Sequence, residues 1–381
     1  MDTDAKPSLA AFVAYFLRLG TFGFGGPIAL AGAMQRDLVE ERRWVTPDEY
    51  VKGLALAQLA PGPLAAQLAI YLGWARAGIT GATLVALAFV LPSFVMVLGI
   101  SAAYVRYGRL EWMQAAFYGI GAAVIAIILR SAYKLVRLTL ARDALLWTVF
   151  VVNAIATAVL EAEVVSLILG SGVVLLLVRW RGAGGTPAPQ PPRTPSVRRF
   201  LLPPLVFAAT TSSSLFWFFV KAGAFVFGSG LAIVPFLYGG VVREHQWLTD
   251  QQFLDAVAVA MITPGPVVIT VAFIGYLVEG FRGATLASLG VFLPCYLFVV
   301  IPAPFFARFA DNPRLKAFVD GVTAAATGAI AGAVWVLARR AIVDVPTILI
   351  FLATLACLTW LKRIPEPVVI AIVGLACVVA A

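Results

Sequence analysis

GTFGFGGP (Gly20–Pro27) opens a set of three sequence blocks that continues with RWVTPDEY (Arg43–Tyr50) and APGP (Ala60–Pro63). The same set returns at a constant offset of 203 residues, as GAFVFGSG (Gly223–Gly230), QWLTDQQF (Gln246–Phe253) and TPGP (Thr263–Pro266). A constant offset across three blocks indicates a duplicated unit. Because each unit carries helix-breaking glycine and proline inside apolar sequence, the pattern is typical of secondary transporters.

The composition indicates an integral membrane protein. The 381 residues are 61% hydrophobic and only 12% charged, with a mean hydropathy of +0.95. Soluble domains carry about 25% charged residues. The net charge of +9 lies mostly between the apolar segments, where it indicates topology by the positive-inside rule. We therefore expect the lipid bilayer as partner and no nucleic acid.

The chain lacks the sequence motifs of nucleotide hydrolases, zinc proteases and serine hydrolases. There is no GxxxxGK[ST] loop, no HExxH and no GxSxG. The single histidine, His245, stands in a polar stretch, and Cys295, Cys357 and Cys377 are widely spaced in apolar runs. We expect no enzyme activity, no cofactor and no metal site.

The chain divides into a first membrane repeat (1–180), a Pro/Gly/Arg-rich linker (181–200) and a second membrane repeat (201–381). Twelve apolar segments can be drawn. The segments 9–33 and 205–237 are each predicted to be one span, and the segments 50–73 and 253–277 contain the PGP breaks. If these two segments cross the membrane, the chain has twelve spans and parallel repeats. If they turn back as re-entrant hairpins, each half has five spans and the second half is inverted.

The distribution of Lys and Arg favours the inverted arrangement, because it concentrates them on one side. The predicted fold is an all-α polytopic membrane protein of two inverted repeats. It has about ten membrane-spanning helices and two PGP-broken re-entrant hairpins, with twelve spans as the alternative.

The PGP breaks predict an anion site. A helix that restarts after proline presents free N–H groups and the positive end of its dipole, which bind anions. The glycine blocks let backbones approach closely, and Gln58, Gln67 and Thr263 flank the breaks as hydrogen-bonding side chains. A simple kink and small-residue helix packing are the alternative explanations.

Charged residues inside the apolar segments occupy matched positions in the two repeats. Arg18 and Lys221 each stand two residues before the first glycine of their block, where a cation faces a pathway or snorkels to the interface. Lys52 and Asp255 also match. They are candidates for a cross-repeat pair or, for Asp255, a coupling proton, with interfacial placement as the alternative. The predicted substrate-binding residues are Arg18, Phe22, Gly25, Gly26, Gln58, Pro61, Gly62, Pro63, Lys221, Phe225, Gly228, Ser229, Thr263, Pro264, Gly265 and Pro266.

These blocks resemble the chromate ion transporter family in its long, two-domain form, over nearly the whole chain. The resemblance implies transport of chromate, with sulfate as a chemical look-alike. It also implies halves of opposite orientation, and commonly export across the cytoplasmic membrane that confers chromate resistance. One departure from strict repetition is Gly230, which stands where the first repeat has Pro27.

Other functions remain open from the sequence. Sulfate uptake and amino-acid export are alternative transport activities, and an anion channel is the alternative from another class. A homodimer is compatible with the sequence. The working hypothesis places a tetrahedral dianion between the halves, where the N–H groups after Pro61 and Pro264, the glycine blocks, and Arg18 with Lys221 offset its charge.

Overall fold

The computed structural model describes residues 7–24, 26–108, 110–140, 143–161, 164–182, 211–225, 233–308, 312–360 and 364–380, so the predicted linker lies outside it from residue 183 onward. The regular elements in these ranges are all helical. In chain order they are α1 (Leu9–Phe22), α2 (Pro27–Met34), α3 (Pro47–Leu59), α4 (Leu64–Tyr107), α5 (Glu111–Thr139), α6 (Ala144–Leu160), α7 (Val165–Gly182), α8 (Thr211–Ala224), α9 (Ile233–Leu237), α10 (Asp250–Ile262), α11 (Thr270–Val300), α12 (Pro313–Ala341), α13 (Val345–Trp360) and α14 (Glu366–Ala380). π-Helical segments extend α2 over Gln35–Glu41 and α9 over Tyr238–Glu244, and 3-10 turns cover Val267–Ile269 and Ala303–Arg308.

The first apolar segment is a helical hairpin and not the single span that the sequence predicted. α1 ends at Phe22, and α2 begins at Pro27, a residue suited to the first helical position. The Tyr15 hydroxyl donates a hydrogen bond to Asp37 at 3.2 Å, and the Phe12 ring lies 6.4 Å from Trp44. Contacts between residues this far apart in sequence require the chain to fold back at the glycine block.

The second repeat folds back in the same way. Phe218, which is equivalent to Tyr15, packs edge-on against Trp247 at 5.5 Å and lies against Gly240, the equivalent of Asp37. A bare glycine leaves room for the Phe218 ring where the first repeat has a tyrosine–aspartate hydrogen bond. The predicted span 205–237 is therefore also a hairpin in its described part.

Each PGP break is the tip of a second hairpin. Gly53 of α3 packs against Tyr71 of α4, and the two residues are equally distant from Gly62. In the second repeat the Thr270 hydroxyl donates to the Ala256 carbonyl at 2.8 Å, across the turn at Gly265. α3 and α10 thus run antiparallel to the helix that follows each of them. Thr46 and Thr249 start these helices as N-caps in capping boxes, as expected.

α4 and α11 each fold back sharply near one glycine. Gly78 has φ +59° and Gly280 has φ +60°, a left-handed conformation that glycine adopts without steric cost. The Gly73 and Gly81 backbones touch across the first bend, as the Gly275 and Gly283 backbones do across the second. α4 therefore consists of a first arm (64–76) and a second arm (79–107), and α11 is divided in the same way at Gly280.

The second arms of α4 and α11 run in opposite directions. The hydroxyl of Thr83, near the start of one arm, lies 2.7 Å from the hydroxyl of Tyr296, near the end of the other. The open ends of the two hairpins in a repeat, here called the hairpin bases, lie together. Arg76 donates to the Pro7 carbonyl at the first base, and Ser212 donates to Glu279 at 2.8 Å at the second. The two bases consequently lie at opposite ends of the helix bundle.

The remaining helices of each repeat pack against helices of the other repeat. α12 packs on α6 and α7, and α5 packs on α13 and α14. Close helix approach depends on small residues, since Gly328 and Gly332 of α12 lie against the backbone of Phe150 and Ala154. By length and hydropathy, four helical stretches in the described ranges can cross a membrane: Leu64–Tyr107, Glu111–Thr139, Val267–Val300 and Pro313–Ala341. The expected total of about ten spans stays a prediction.

Candidate functional site

The hairpin tips of the two repeats meet in the middle of the bundle. The Gly265 N–H donates to the Gly23 carbonyl at 2.9 Å, which joins the second PGP turn to the first glycine block. Gly265 also lies beneath the Ser93 hydroxyl, and Gly62 lies beside the Cys295 thiol. Ser93 and Cys295 are equivalent positions, one after Pro92 and one after Pro294. Each PGP turn is therefore packed against the opposite repeat.

A small cavity lies where the tips converge. Pro27, Pro63, Gly265 and Pro266 contribute to its wall, and it has room for about one water molecule. Pro27 starts α2, Pro63 is the N-cap of α4, and Pro266 precedes the turn that leads into α11. The positive ends of these helical elements face the same small volume, which makes it favourable for negative charge.

α2 and α4, which start at the hairpin tips, have no side-chain N-cap in the described ranges, whereas α1, α3 and α10, which start at the bases, have one. Ser8, Thr46 and Thr249 cap their helices with side-chain oxygens. No side chain in the described ranges caps the starts of α2, of α4 or of the 3-10 turn at Val267. In α4 the N–H groups before Gln67 have no partner within their own helix, whereas those of Ala29 and Ile269 donate to the Gly26 and Pro266 carbonyls. The first turn of α4 therefore offers N–H groups that are available to an anion.

Polar side chains line the turns. Gln67 is fully buried, and its amide Nε2 donates to the Pro61 carbonyl at 2.6 Å, while its Oε1 has no partner among the described residues. Ser93 donates to the Gly20 carbonyl at 3.3 Å. Thr263 is buried and donates to its own helix, at the Val259 carbonyl. Ser93 was not predicted as a site residue from the sequence. Its only signal in the sequence is that it follows Pro92, which matches Pro294 of the second repeat.

Arg18 and Lys221 are exposed side chains that do not line the cavity. Arg18 lies ten residues beyond the N-cap Ser8, which places it about 15 Å along α1 from the hairpin base. Lys221 occupies the last turn of α8. Both cations therefore lie within about one turn of the end of their helix, α1 or α8, close to the glycine block of their repeat.

The structure does not bring Lys52 and Asp255 together. Lys52 is exposed and pairs with Asp48 at 2.6 Å, one turn earlier on α3. Asp255 is buried and accepts hydrogen bonds from Tyr104 of the opposite repeat at 2.6 Å and from Gln251 at 2.9 Å. The expected cross-repeat pair is not formed, because the two residues belong to hairpins that open at opposite ends of the bundle.

The other predicted residues divide by position. Pro61, Gly62, Pro63, Pro264, Gly265 and Pro266 form the two turns, and Gly26 is the N-cap of α2. Phe22 and Gln58 are exposed, Phe22 to 70%, and Phe225 is half-buried after α8. Gly25, Gly228 and Ser229 lie outside the described residues.

Known proteins resemble the chain over both repeats. The sequence model of the family described as "Chromate transporter" matches residues 10–176 and 213–379. A "Chromate transport protein" of Cupriavidus metallidurans is 58% identical over 97% of this chain and 93% of its own length. A "Probable chromate transport protein" of Synechococcus elongatus is 57% identical over 98% and 95%, and a "Chromate transport protein" of Pseudomonas aeruginosa is 33% identical over 98% and 94%. No solved structure matches the chain.

The two family matches begin and end at the same offset of 203 residues that the sequence blocks show. The apolar helices agree with a membrane protein, and the relatives agree with transport rather than catalysis. The chain belongs to the chromate transporter family.

Proposed function

We propose that this protein is a secondary transporter that exports chromate across the cytoplasmic membrane and thereby confers chromate resistance. The observation that carries the proposal is the convergence of two PGP turns and a glycine-block helix start on one cavity. Uncapped helix starts bind tetrahedral oxyanions through backbone N–H groups, without a dedicated charged side chain. Three relatives that match over nearly their whole length are named as chromate transport proteins, one of them as a probable one, which supports chromate as that oxyanion.

The proposed topology places the hairpin tips near the membrane midplane and the two hairpin bases at opposite faces. Opposite directions of the second arms of α4 and α11 support inverted insertion of the repeats. The second arms of α4 and α11, which belong to helices long and apolar enough to cross a membrane, then run between the two faces in opposite directions. Irregular backbone at the tips is tolerated at that depth because protein surrounds it.

In this mechanism the tips part on one face at a time. The closed cavity is too small for chromate, so the hairpins of one repeat must move to admit it. Arg18 and Lys221, exposed close to the glycine blocks, attract the dianion along its pathway. An inside-negative potential favours outward movement of negative charge by about 2.3 kcal/mol per charge per 100 mV. Export therefore needs no proton, and a proton on Asp255 is the alternative source of energy.

Chromate flux in proteoliposomes of defined potential tests the proposal. We expect saturable flux that runs faster out of the compartment made negative with potassium and valinomycin, and competition by sulfate. Protein-free liposomes provide the background. Flux that does not saturate and shows no counterflow would instead identify an anion channel. Sulfate or amino-acid flux without chromate flux would identify another substrate.

A further inference from the structure

Five polar side chains from four elements meet at the base of the second repeat's hairpins. Glu161 follows α6 and belongs to the first repeat. Tyr238 and Arg243 lie in the π-helical segment after α9, Asp250 begins α10, and Arg340 lies in the last turn of α12. We call this group the base cluster.

Arg340 is the centre of the base cluster. Its guanidinium lies 3.0 Å from the Glu161 carboxylate and also contacts Asp250. Arg243 forms a second ion pair with Glu161, and the Tyr238 hydroxyl donates to Asp250 at 2.6 Å. Both guanidinium groups lie over the Tyr238 ring, at 5.7 Å for Arg340 and 5.8 Å for Arg243. The cluster thus fastens the second repeat's hairpins to α12 and to the end of α6.

The base cluster is partly shielded from solvent. The side chains of Arg340 and Glu161 are 27% and 30% exposed. Ion pairs of this kind are screened less than fully exposed ones, and a network holds its members better than an isolated pair does. Glu161 itself has φ +52°, a left-handed conformation that few residues with side chains adopt.

The first repeat cannot build the same cluster. The positions equivalent to Tyr238, Arg243, Asp250 and Arg340 hold Gln35, Glu40, Pro47 and Leu138. Within the first repeat's own hairpins, Arg36 pairs with Asp37 and Lys52 pairs with Asp48. The two hairpin pairs are therefore attached unequally to the helices around them.

We propose that the base cluster is a latch that holds the second repeat's hairpins closed and must open once in each transport cycle. This inference rests on the proposed function. With the latch formed, the PGP turn at Gly265 stays against Gly23 and the cavity is closed toward that face. Arg340 is a positioning residue, since it acts on the site through the hairpin that carries Gly265.

Hydrogen–deuterium exchange tests the attachment without any substrate. Arg340→Gln removes the central charge, and Arg339→Gln is the matched control, because Arg339 is an exposed cation in the same turn. We expect the amides of α10 to exchange roughly fivefold faster in Arg340→Gln, with α3 unchanged and the control like the wild type. Unchanged exchange in α10 would overturn the latch.

Reversible cross-linking tests whether the latch has to open. Asp250→Cys combined with Arg340→Cys is bridged by a short bifunctional methanethiosulfonate, with each single variant and the wild type treated alike. We expect chromate flux to fall about tenfold when the bridge forms and to return when it is reduced. If the base cluster only stabilises the fold, the bridged protein would transport chromate as fast as the unbridged protein. Unchanged flux after bridging would therefore overturn the proposal. Absence of chromate flux from the wild type would refute the proposed function, whereas the exchange measurement would still decide on the latch's attachment.

Discussion

Two glycines at the hairpin tips adopt a backbone conformation that residues with side chains rarely adopt. Gly62 has φ +142° and Gly265 has φ +96°, both in the region that side chains disfavour. A Cβ on Gly62 would also lie 2.5 Å from the Gln67 amide nitrogen. Proline chemistry predicted these breaks from the sequence. Their contacts with Ser93 and Gly23 could not be predicted, because a repeat pattern does not tell which residues of the two copies touch.

Arg18 and Lys221, the matched cations of the two repeats, are expected to contribute to chromate transport. Arg18→Gln and Lys221→Gln should each lower chromate flux by about tenfold, because an exposed positive charge close to the glycine block is lost. Arg106→Gln removes an exposed charge near the end of α4 and should stay within about twofold of wild type. Flux is measured in proteoliposomes at matched protein content. Wild-type rates in both Arg18 and Lys221 variants would contradict their role.

At the scale of elements, each repeat contains two consecutive hairpins. Re-entry of the PGP segments into the membrane stays a prediction, but the helix breaks at PGP were predicted, since two prolines around a glycine end one helix and start another. The hairpins at the glycine blocks were not, because FGFGG is equally compatible with small-residue packing inside a continuous helix. Tyr15–Asp37 and Phe218–Trp247 hold these hairpins together, and such distant pairs carry no local sequence signal.

The two PGP turns are expected to need glycine at their centre for both stability and transport. Gly62→Ala and Gly265→Ala should each cost about 1–3 kcal/mol of stability through backbone strain, and should reduce chromate flux by misplacing the helix starts. Gly99→Ala is the control, because Gly99 is helical and a Cβ there meets open space, so a gain of up to about 1 kcal/mol is expected. Thermal unfolding in detergent and flux are measured together. Turn variants with wild-type stability and flux would refute the strained-turn explanation.

At the scale of the molecule, the duplication was evident from the sequence, and the opposite directions of α4 and α11 agree with the inverted arrangement that the charges favoured. Charge distribution reports the relative orientation of two halves. It does not report how an apolar segment is broken, and so two segments expected to be spans are hairpins. The base cluster also escaped prediction, since it joins residues that are far apart in sequence, such as Glu161 and Arg340.

The central claim is that the hairpin tips of both repeats form one oxyanion site. The most direct test is a cryo-electron microscopy structure of the purified protein with chromate, compared with a matched map without it. We expect added density between Pro63 and Gly265, within hydrogen-bonding distance of the first N–H groups of α4. Chromate bound elsewhere, with the tips unchanged and empty in a preparation that transports it, would show that the tips do not form the oxyanion site.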